Sequence, residues 1–368
     1  MIDVIGIIGG GQLGQMMIDA AHELGFKCIV LDPQEKCPCS FNADEMIIGA
    51  YDDRDKVLEL CKKSDIVTYE FENVGYRLVK EYQEAYNIVQ GFNPLYYSQH
   101  RLREKNSAVK LGLKCGKFES VNNPTQLKKA IELLKLPAVL KTCSGGYDGK
   151  GQVIIKDDNY EDAIELVKNS ECILEEFIKF DSEISVVVSR NPKGQITTLP
   201  IGDNIHINNI LHMSVLPSLE SETIKAKAIG VAKEYVEGMD FVGTITIELF
   251  VVGEELFFNE MAPRPHNSGH YSIEGASSSQ FRQHILAITN QELKTPQLND
   301  DCVMINVLGQ DVEGVKELEE ASLDNIYIHM YGKKEAKYNR KMGHVTLMGY
   351  SKEEAIKIRN RYWRSGNE

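Results

Sequence analysis

Hydrophobic and polar positions in the first hundred residues follow two alternating rhythms. Val4–Ile8 is a short apolar run; beyond a glycine cluster, Leu13, Met16, Met17, Ala20, Ala21 and Leu24 recur at helical spacing, and Gly25 closes the unit. Apolar runs at 28–31, 65–69 and 88–90, separated by helical patterns at 54–63 and 78–86, continue the alternation to the Asn93-Pro94 break. Strand and helix in regular succession predict a parallel sheet, and residues 1–97 read as a doubly wound α/β domain.

The rhythm then changes. A helix of mixed charge follows Ser98, then a strand at 137–142, a glycine loop at 143–151, a return strand at 152–156 and a helix at 160–168, the pattern of a small α+β lid. Strands at 173–176, 184–189 and 195–200, a long helix at 220–237 and a hairpin over 244–260 come next. The last seventy residues are strand-rich and end in a helix at 352–362.

A chain of 368 residues has room for two or three such units. Its 41 basic and 54 acidic side chains give a net charge of -13, and no run of five Lys and Arg occurs, which disfavours general nucleic-acid binding. No stretch approaches the roughly 18 apolar residues of a membrane span, and the start lacks a basic-then-apolar leader, so a cytoplasmic location is expected. The eight cysteines read as reduced, mostly buried thiols; a zinc site on Cys37 and Cys39 would need two further ligands and has no histidine nearby.

Four segments carry candidate chemistry. Gly9-Gly10-Gly11-Gln12-Leu13-Gly14 fits GxGxxG between a strand and a helix, with Asp32 eighteen residues beyond. Helix-terminal N–H groups attract any phosphate, so NAD, another phosphate ligand and simple tight packing all stay open at this motif. The loop between Lys141 and Gln152, Cys143-Ser144-Gly145-Gly146-Tyr147-Asp148-Gly149-Lys150-Gly151, is not a Walker A motif. Its glycines would let main-chain N–H groups approach a triphosphate while Lys141 adds a point charge, whereas a plain hairpin turn needs no lysine there.

In the 244–260 hairpin, a three-residue turn at Gly253-Glu254-Glu255 would pair Val252 with Leu256 and set Glu248 opposite Glu260. Two opposed carboxylates repel unless a cation lies between them, and Mg²⁺ is the natural occupant. Met261-Ala262-Pro263-Arg264-Pro265-His266-Asn267-Ser268-Gly269-His270 follows directly, and its Arg, His and Asn suit an anionic substrate. His270 and His284 read as structural.

These pieces, with Tyr69-Glu70-Phe71-Glu72-Asn73-Val74, Asn204-Ile205-His206, Ile210-Leu211, Gly275-Ala276-Ser277 and Arg340-Lys341-Met342-Gly343-His344, resemble the ATP-grasp superfamily. Within it they resemble the purine-pathway carboxylases, the N5-carboxyaminoimidazole ribonucleotide synthases. The resemblance implies an ATP-grasp fold with a preATP-grasp domain at 1–97, an ATP-grasp domain at 98–298 whose lid covers about 115–178, and a small strand-rich C-terminal domain at 299–368. It further implies an ATP site of Arg101, Lys141, Gly146, Tyr147, Asp148, Gly149, Lys150, Gly151, Gln152, Glu175, Glu176, Phe177, Ile178, Glu183, His206, Asn259 and Glu260. There Glu183 would hold the ribose, the main chain of an edge strand at 175–178 would meet adenine, and Glu248 and Glu260 would carry magnesium.

The ribonucleotide pocket implied by the same resemblance takes Gln12, Leu13, Glu72, Tyr147, Asp148, Asn267, Lys334, Arg340 and Lys341, with Arg340 and Lys341 on the 5′-phosphate. The first glycine motif would then serve the substrate and not NAD. Arg264, His266 and Lys334 would hold bicarbonate and carboxyphosphate and handle the proton of the amine, with the base left open between His266 and Lys334. Partners would be the ribonucleotide, bicarbonate, a second copy in a homodimer and the mutase that receives the product. Two departures stand out: Gln15 where a basic residue is common, and Lys337-Tyr338-Asn339 where a Pro-Gly is expected before Arg340. The second leaves the roles of Lys333 and Lys334 open. Rival readings are a formate-dependent transformylase or biotin carboxylase on the same scaffold, an NAD-dependent oxidoreductase, and a non-catalytic nucleotide-binding protein.

Overall fold

The computed structural model describes residues 2–146, 151–156 and 161–364. The first unit runs β1 (Val4–Ile8), α1 (Gln12–Glu23), β2 (Lys27–Asp32), β3 (Glu45–Ile48), α2 (Arg54–Lys63), β4 (Ile66–Tyr69), α3 (Tyr76–Tyr82) and α4 (Asn93–Ser98). Its four strands pair in parallel in the order β3-β2-β1-β4, as the strand and helix alternation predicts. Asp53 starts α2 by accepting the N–H groups of Asp55 and Lys56, which would otherwise lack partners.

Two expectations fail here. The helix expected at 78–86 begins at Tyr76 and stops at Tyr82, before Asn87 turns the chain with φ 52°. Residues 88–90 form no strand: the Ile88 N–H returns to the Gln83 carbonyl and the Ile88 carbonyl takes the Gly91 N–H, a turn in place of a ladder, while the Gln90 side-chain oxygen accepts from Thr68 Oγ1 and the Tyr69 N–H.

The second unit follows with α5 (Arg101–Lys110), β5 (Phe118–Val121), α6 (Pro124–Leu134), β6 (Ala138–Thr142), β7 (Gln152–Ile155), α7 (Glu161–Asn169) and β8 (Cys172–Glu176). Strands β5 to β8 make a separate antiparallel sheet in the order β5-β8-β6-β7, with α6 and α7 burying Leu127, Ala130, Ala163 and Val167 against it. The large sheet takes β9 (Ser182–Arg190), β10 (Ile196–Thr198), β11 (Gly202–Ile207) and β12 (Ile210–Leu216), then, after α8 (Glu222–Gly238), the hairpin β13 (Gly243–Val252) and β14 (Glu255–Ala262). Beyond α9 (Ser272–Gly275) and α10 (Gln280–Ile288) come β15 (Cys302–Leu308), α11 (Val312–Glu320), β16 (Ile326–Met330), β17 (Lys341–Met348) and α12 (Lys352–Tyr362).

The large sheet runs β14-β13-β9-β11-β12-β15-β17-β16, with β10 on β9, so the C-terminal strands extend the central sheet through the β12 and β15 pairing. Its interior strands are buried on both faces: β12 and β15 are buried throughout, and Tyr235, Val236 and Ala232 of α8 cover β9 and β13. Ser351 and Glu354 form the capping box that begins α12, where the terminal helix was expected. All eight cysteines are free thiols, seven of them buried. No helix among the described residues is long and apolar enough to cross a membrane.

Candidate active site

Glu248 and Glu260 do stand opposite each other, but not for the reason the spacing suggests. The turn has two residues, so Val252 pairs with Glu255 and Leu249 with Phe258; a bulge at Asn259 then shifts the register by one and sets Glu248 against Glu260. The bulge also turns Asn259, whose Nδ2 lies 3.4 Å from Glu248 Oε2. Burial, then the charges of Glu260 and Glu183, push the Glu248 carboxyl well above its usual range. Burial also opposes charge on Glu260, but Arg101 and Lys141 outweigh it and lower that carboxyl. One member of the pair is thus stabilised as an anion while the other lacks a cation.

Basic groups ring this pair. Arg101 opens α5 and its Nη1 donates to Glu260 Oε2 at 3.0 Å. Lys141, at the end of β6 beside the glycine loop, donates to Glu175 Oε2 at 3.0 Å, and Lys105 stands 3.5 Å from the same oxygen. Burial would raise the Glu175 carboxyl, yet Lys105, Lys141 and Arg101 hold it at about 2. Its second oxygen is buried without a hydrogen-bond partner.

Sequence reasoning missed Glu104 and Lys105. They lie three and four residues after Arg101, one helical turn along the same face, and that spacing was the available signal. Both are buried: Glu104 Oε1 accepts the Met261 N–H at 2.6 Å, and Lys105 Nζ donates to the Phe258 carbonyl at 3.2 Å. Burial and then Glu260 raise the Glu104 carboxyl to about 8.

Glu183 and His206 face each other across β9 and β11, with His206 Nδ1 3.0 Å from Glu183 Oε2 but off the hydrogen-bonding direction. The expectation of an edge strand at 175–178 is corrected: β8 lies inside its sheet, Glu175 and Glu176 are laddered to Phe118 and Ala138, and only the main chain of 177–178 lies beyond the ladder. Gly146, Gly151 and Gln152 flank the glycine loop at the end of β6 and the start of β7. Tyr147, Asp148, Gly149 and Lys150 lie outside the described residues.

The Pro-Arg-Pro-His run brings a second group against the carboxylates. Arg264 Nε donates to Glu72 Oε2 at 2.6 Å, joining the first unit to the end of β14. Burial opposes the Glu72 charge, but Arg264 more than offsets it and the carboxyl is lowered. His266 Nε2 stands 3.4 Å from Glu248 Oε1, and burial followed by the charges of Arg264 and Lys341 drives its pKa well below the usual range. Asn267 is buried and its Nδ2 has no partner. On the 331–341 segment, Lys341 acts on Glu248, His266 and His270, whereas Lys334 is exposed and Arg340 is exposed with Nη1 on the Glu335 carbonyl at 3.1 Å. His284 is structural as expected, held by Thr68 Oγ1 at 2.8 Å and the Thr244 N–H at 3.0 Å, and His270 takes Gln280 Nε2 at 3.1 Å.

The first glycine motif presents the opposite picture. Glu70 takes the Gly11 N–H at 2.7 Å and the Gly14 N–H at 2.9 Å, and Asp32 takes that of Gly10 at 2.8 Å. The N–H groups a pyrophosphate would need are held by the chain's own carboxylates. Asp32 is further engaged by the Gln34 N–H at 2.8 Å and Tyr51 Oη at 2.7 Å, so it is not free for a ribose. A Cβ at Gly11 would overlap the Glu70 carboxylate, and one at Gly14 would come within 2.8 Å of Cys39 Sγ. Tight packing is therefore what Gly10, Gly11 and Gly14 serve and the dinucleotide reading fails, which leaves Gln12 and Leu13 as the motif's expected contacts to a substrate. Gln12 is half-buried and Leu13 buried in the first turn of α1.

Three family models tile the chain: a ribonucleotide synthetase preATP-grasp domain at 2–97, an ATP-grasp domain at 106–281 and a phosphoribosylaminoimidazole carboxylase C-terminal domain at 302–358. A relative from Staphylococcus aureus (strain COL), an N5-carboxyaminoimidazole ribonucleotide synthase, is 43% identical over 347 residues, 94% of this chain and 92% of the relative. The chain belongs to the N5-carboxyaminoimidazole ribonucleotide synthase family. A solved synthetase of this family in complex with ADP superimposes with a TM-score of 0.94 at 44% identity, covering 97% of this chain and 95% of that one. The Aspergillus clavatus synthase, solved with ADP and 5-aminoimidazole ribonucleotide, matches with a TM-score of 0.90 at 28% identity over 97% of this chain and 96% of its own. The ATP-grasp match at 106–281 spans the second glycine loop, the paired glutamates and the Pro-Arg-Pro-His run, which the oxidoreductase reading leaves without a purpose.

Proposed function

We infer that this chain catalyses the ATP- and bicarbonate-dependent carboxylation of 5-aminoimidazole ribonucleotide to N5-carboxyaminoimidazole ribonucleotide, with release of ADP and phosphate, in purine biosynthesis. The observation that carries this reading is the opposed pair of a buried Glu248 and a half-exposed Glu260, ringed by Arg101, Lys141, Lys105 and Arg264, in a chain of this family. Such a cluster suits a polyphosphate and its counter-cation and has little use in a protein that only binds nucleosides.

Magnesium fits the pair: both donors are carboxylate oxygens, and the raised Glu248 carboxyl marks a place where positive charge is lacking. When bound there, the ion would supply charge neutralisation for the nucleotide phosphates. The chain's own residues do the rest. Lys141 and Arg101 hold phosphate oxygens, Glu183 and His206 meet the ribose, and the main chain of 177–178 meets adenine. A bicarbonate oxygen attacks the γ-phosphorus, the bond to the β-bridging oxygen breaks, and carboxyphosphate and ADP form. Arg264 and His266 hold the carboxylate end while it decays to CO₂ and phosphate, and the exocyclic amine then bonds to the CO₂ carbon and gives up a proton. Arg340 and Lys341 take the 5′-phosphate, beside Gln12, Leu13, Glu72 and Asn267. A homodimer, product hand-over to the mutase and a cytoplasmic location complete the reading on the strength of the family resemblance.

ADP release tests it. With ATP and Mg²⁺ present, the ribonucleotide should stimulate ADP formation strongly, bicarbonate should be required and formate should be inert. Stimulation by formate, or none by the ribonucleotide, overturns the reading.

A further inference from the structure

A row of polar side chains crosses the large sheet beside the glutamate pair. Glu248 on β13 is the register partner of Ser185 on β9, and Asn204 on β11 that of Ser214 on β12. Ser214 Oγ donates to Asn204 Oδ1 at 2.9 Å, Asn204 Nδ2 donates to Ser185 Oγ at 3.0 Å, and Ser185 Oγ donates to Ser268 Oγ at 2.7 Å. The Ser268 hydroxyl, already an acceptor, stands 2.9 Å from His266 Nδ1 with its own proton free to donate. All four residues are buried. Burying polar side chains, three on the sheet and Ser268 in the turn at Asn267–Gly269, is costly unless each is paired, and this chain pairs them in one direction only.

The direction is set by a group that cannot reverse. The Ser268 peptide N–H also points at His266 Nδ1, at 3.3 Å, a long bond that favours Nδ1 as the acceptor and leaves the Ser268 hydroxyl, at 2.9 Å, as its main donor. The reverse order would place an Nδ1 proton against this N–H. The His266 backbone is fixed as well: its N–H donates to Gln280 Oε1 at 2.8 Å, and its carbonyl accepts from Gln280 Nε2 at 2.7 Å. With Nδ1 sealed, the ring proton sits on Nε2, which faces Glu248 Oε1.

We propose that the buried donor chain Ser214, Asn204, Ser185 and Ser268 holds His266 as the Nε2–H tautomer, making it a hydrogen-bond donor to anionic groups in the site and not the base that takes the amine proton. The role in turnover rests on the carboxylase reading; the tautomer does not. Ser268, Ser185, Asn204 and Ser214 are positioning residues. The amine proton then leaves to another acceptor, and the phosphate released in the same cycle is available for it.

The test is ¹⁵N NMR of the ring nitrogens in the full-length, histidine-labelled protein near neutral pH, with His266 assigned by its loss in H266Q. The expected result is a protonated Nε2 and an unprotonated Nδ1 in the wild type, and a mixture of tautomers in S268A. In turnover, S268A should lower kcat by about tenfold with a smaller change in the KM for ATP, and S185A by about threefold, since each removes one donor of modest net worth. S268T should retain the wild-type tautomer. A wild-type ring protonated at Nδ1, or an S268A protein with unaltered tautomer and kcat, overturns the proposal. Because the NMR measurement is made without substrates, the expected tautomer in a protein that does not turn over the ribonucleotide would contradict the carboxylase reading alone.

Discussion

Two segments of this chain advertise phosphate chemistry in the same terms, and the structure uses them differently. At Gly9 to Gly14, three main-chain N–H groups point at carboxylates of Glu70 and Asp32, and the motif is closed on itself. At the seam between the two later sheets, Arg101, Lys141, Lys105, Glu175, Glu248 and Glu260 are held near one another, with a Glu175 oxygen unpartnered and Glu248 short of positive charge. Glycines beside a helix start tell only that a backbone comes close to something. Whether that something is a ligand depends on which acidic side chains the fold returns to the same place.

The largest effect that would break this contrast is at Glu260. E260A should lower ribonucleotide-dependent ADP formation by about 10³-fold while far-UV circular dichroism and the melting profile stay close to wild type, because the loss falls on charge positioning. Normal turnover would remove the glutamate pair from the chemistry.

At the closed motif the loss should fall on stability instead. E70A leaves two buried N–H groups without an acceptor, and denaturant unfolding should register a loss of about 2–4 kcal/mol. The KM for ATP of the folded fraction should not move. A stable E70A protein with weakened nucleotide binding would reverse the assignment of the two segments.

Glu104 sharpens the comparison through pH. Its carboxyl is raised from 4.5 to about 8, so between those values the folded chain holds a proton that the unfolded chain has released. Stability therefore falls as pH rises through that window, by at most about 1.4 kcal/mol per unit, and levels off above it. E104Q should flatten the slope between pH 5 and 8 in unfolding measurements. Glu175 runs the other way: its carboxyl lies at about 2, so its contribution is complete above 4.5 and is lost as pH falls toward 2. The smallest effect is at Arg340, which is exposed; R340A should raise the KM for the ribonucleotide by about tenfold and that for ATP much less, at the scale of one charge-assisted contact. Equal changes in both would remove Arg340 from the phosphate pocket.

Much of this was legible in the chain. Regular strand and helix alternation locates β1, α1, β2, α2 and β4, and Ser351 with Glu354 announces α12. The pairing of Glu248 with Glu260 was also readable, although a two-residue turn with a bulge produces it where a three-residue turn was expected. A one-residue bulge leaves no mark in hydrophobic alternation here, because the displaced residue, Asn259, is polar and half-buried.

What remained hidden depends on long-range returns. Glu70 is 56 residues from Gly14, and nothing local says that its carboxylate fills the helix N-terminus. Lys105 and Glu104 look like the solvated face of a charged helix until β14 is laid against them. Ser268 reads as an ordinary loop serine, and only the arrival of Ser185, 83 residues earlier, makes it one link in a chain that ends at His266.

The most direct test of the central claim, that the open charged cluster joins bicarbonate to the γ-phosphate of ATP, is to run the reaction with ¹⁸O-labelled bicarbonate and determine the isotope in the phosphate released. Transfer of one labelled oxygen per turnover, dependent on the ribonucleotide and absent in E260A, is the predicted result. Unlabelled phosphate at full turnover would mean that water attacks the nucleotide, and would contradict the account.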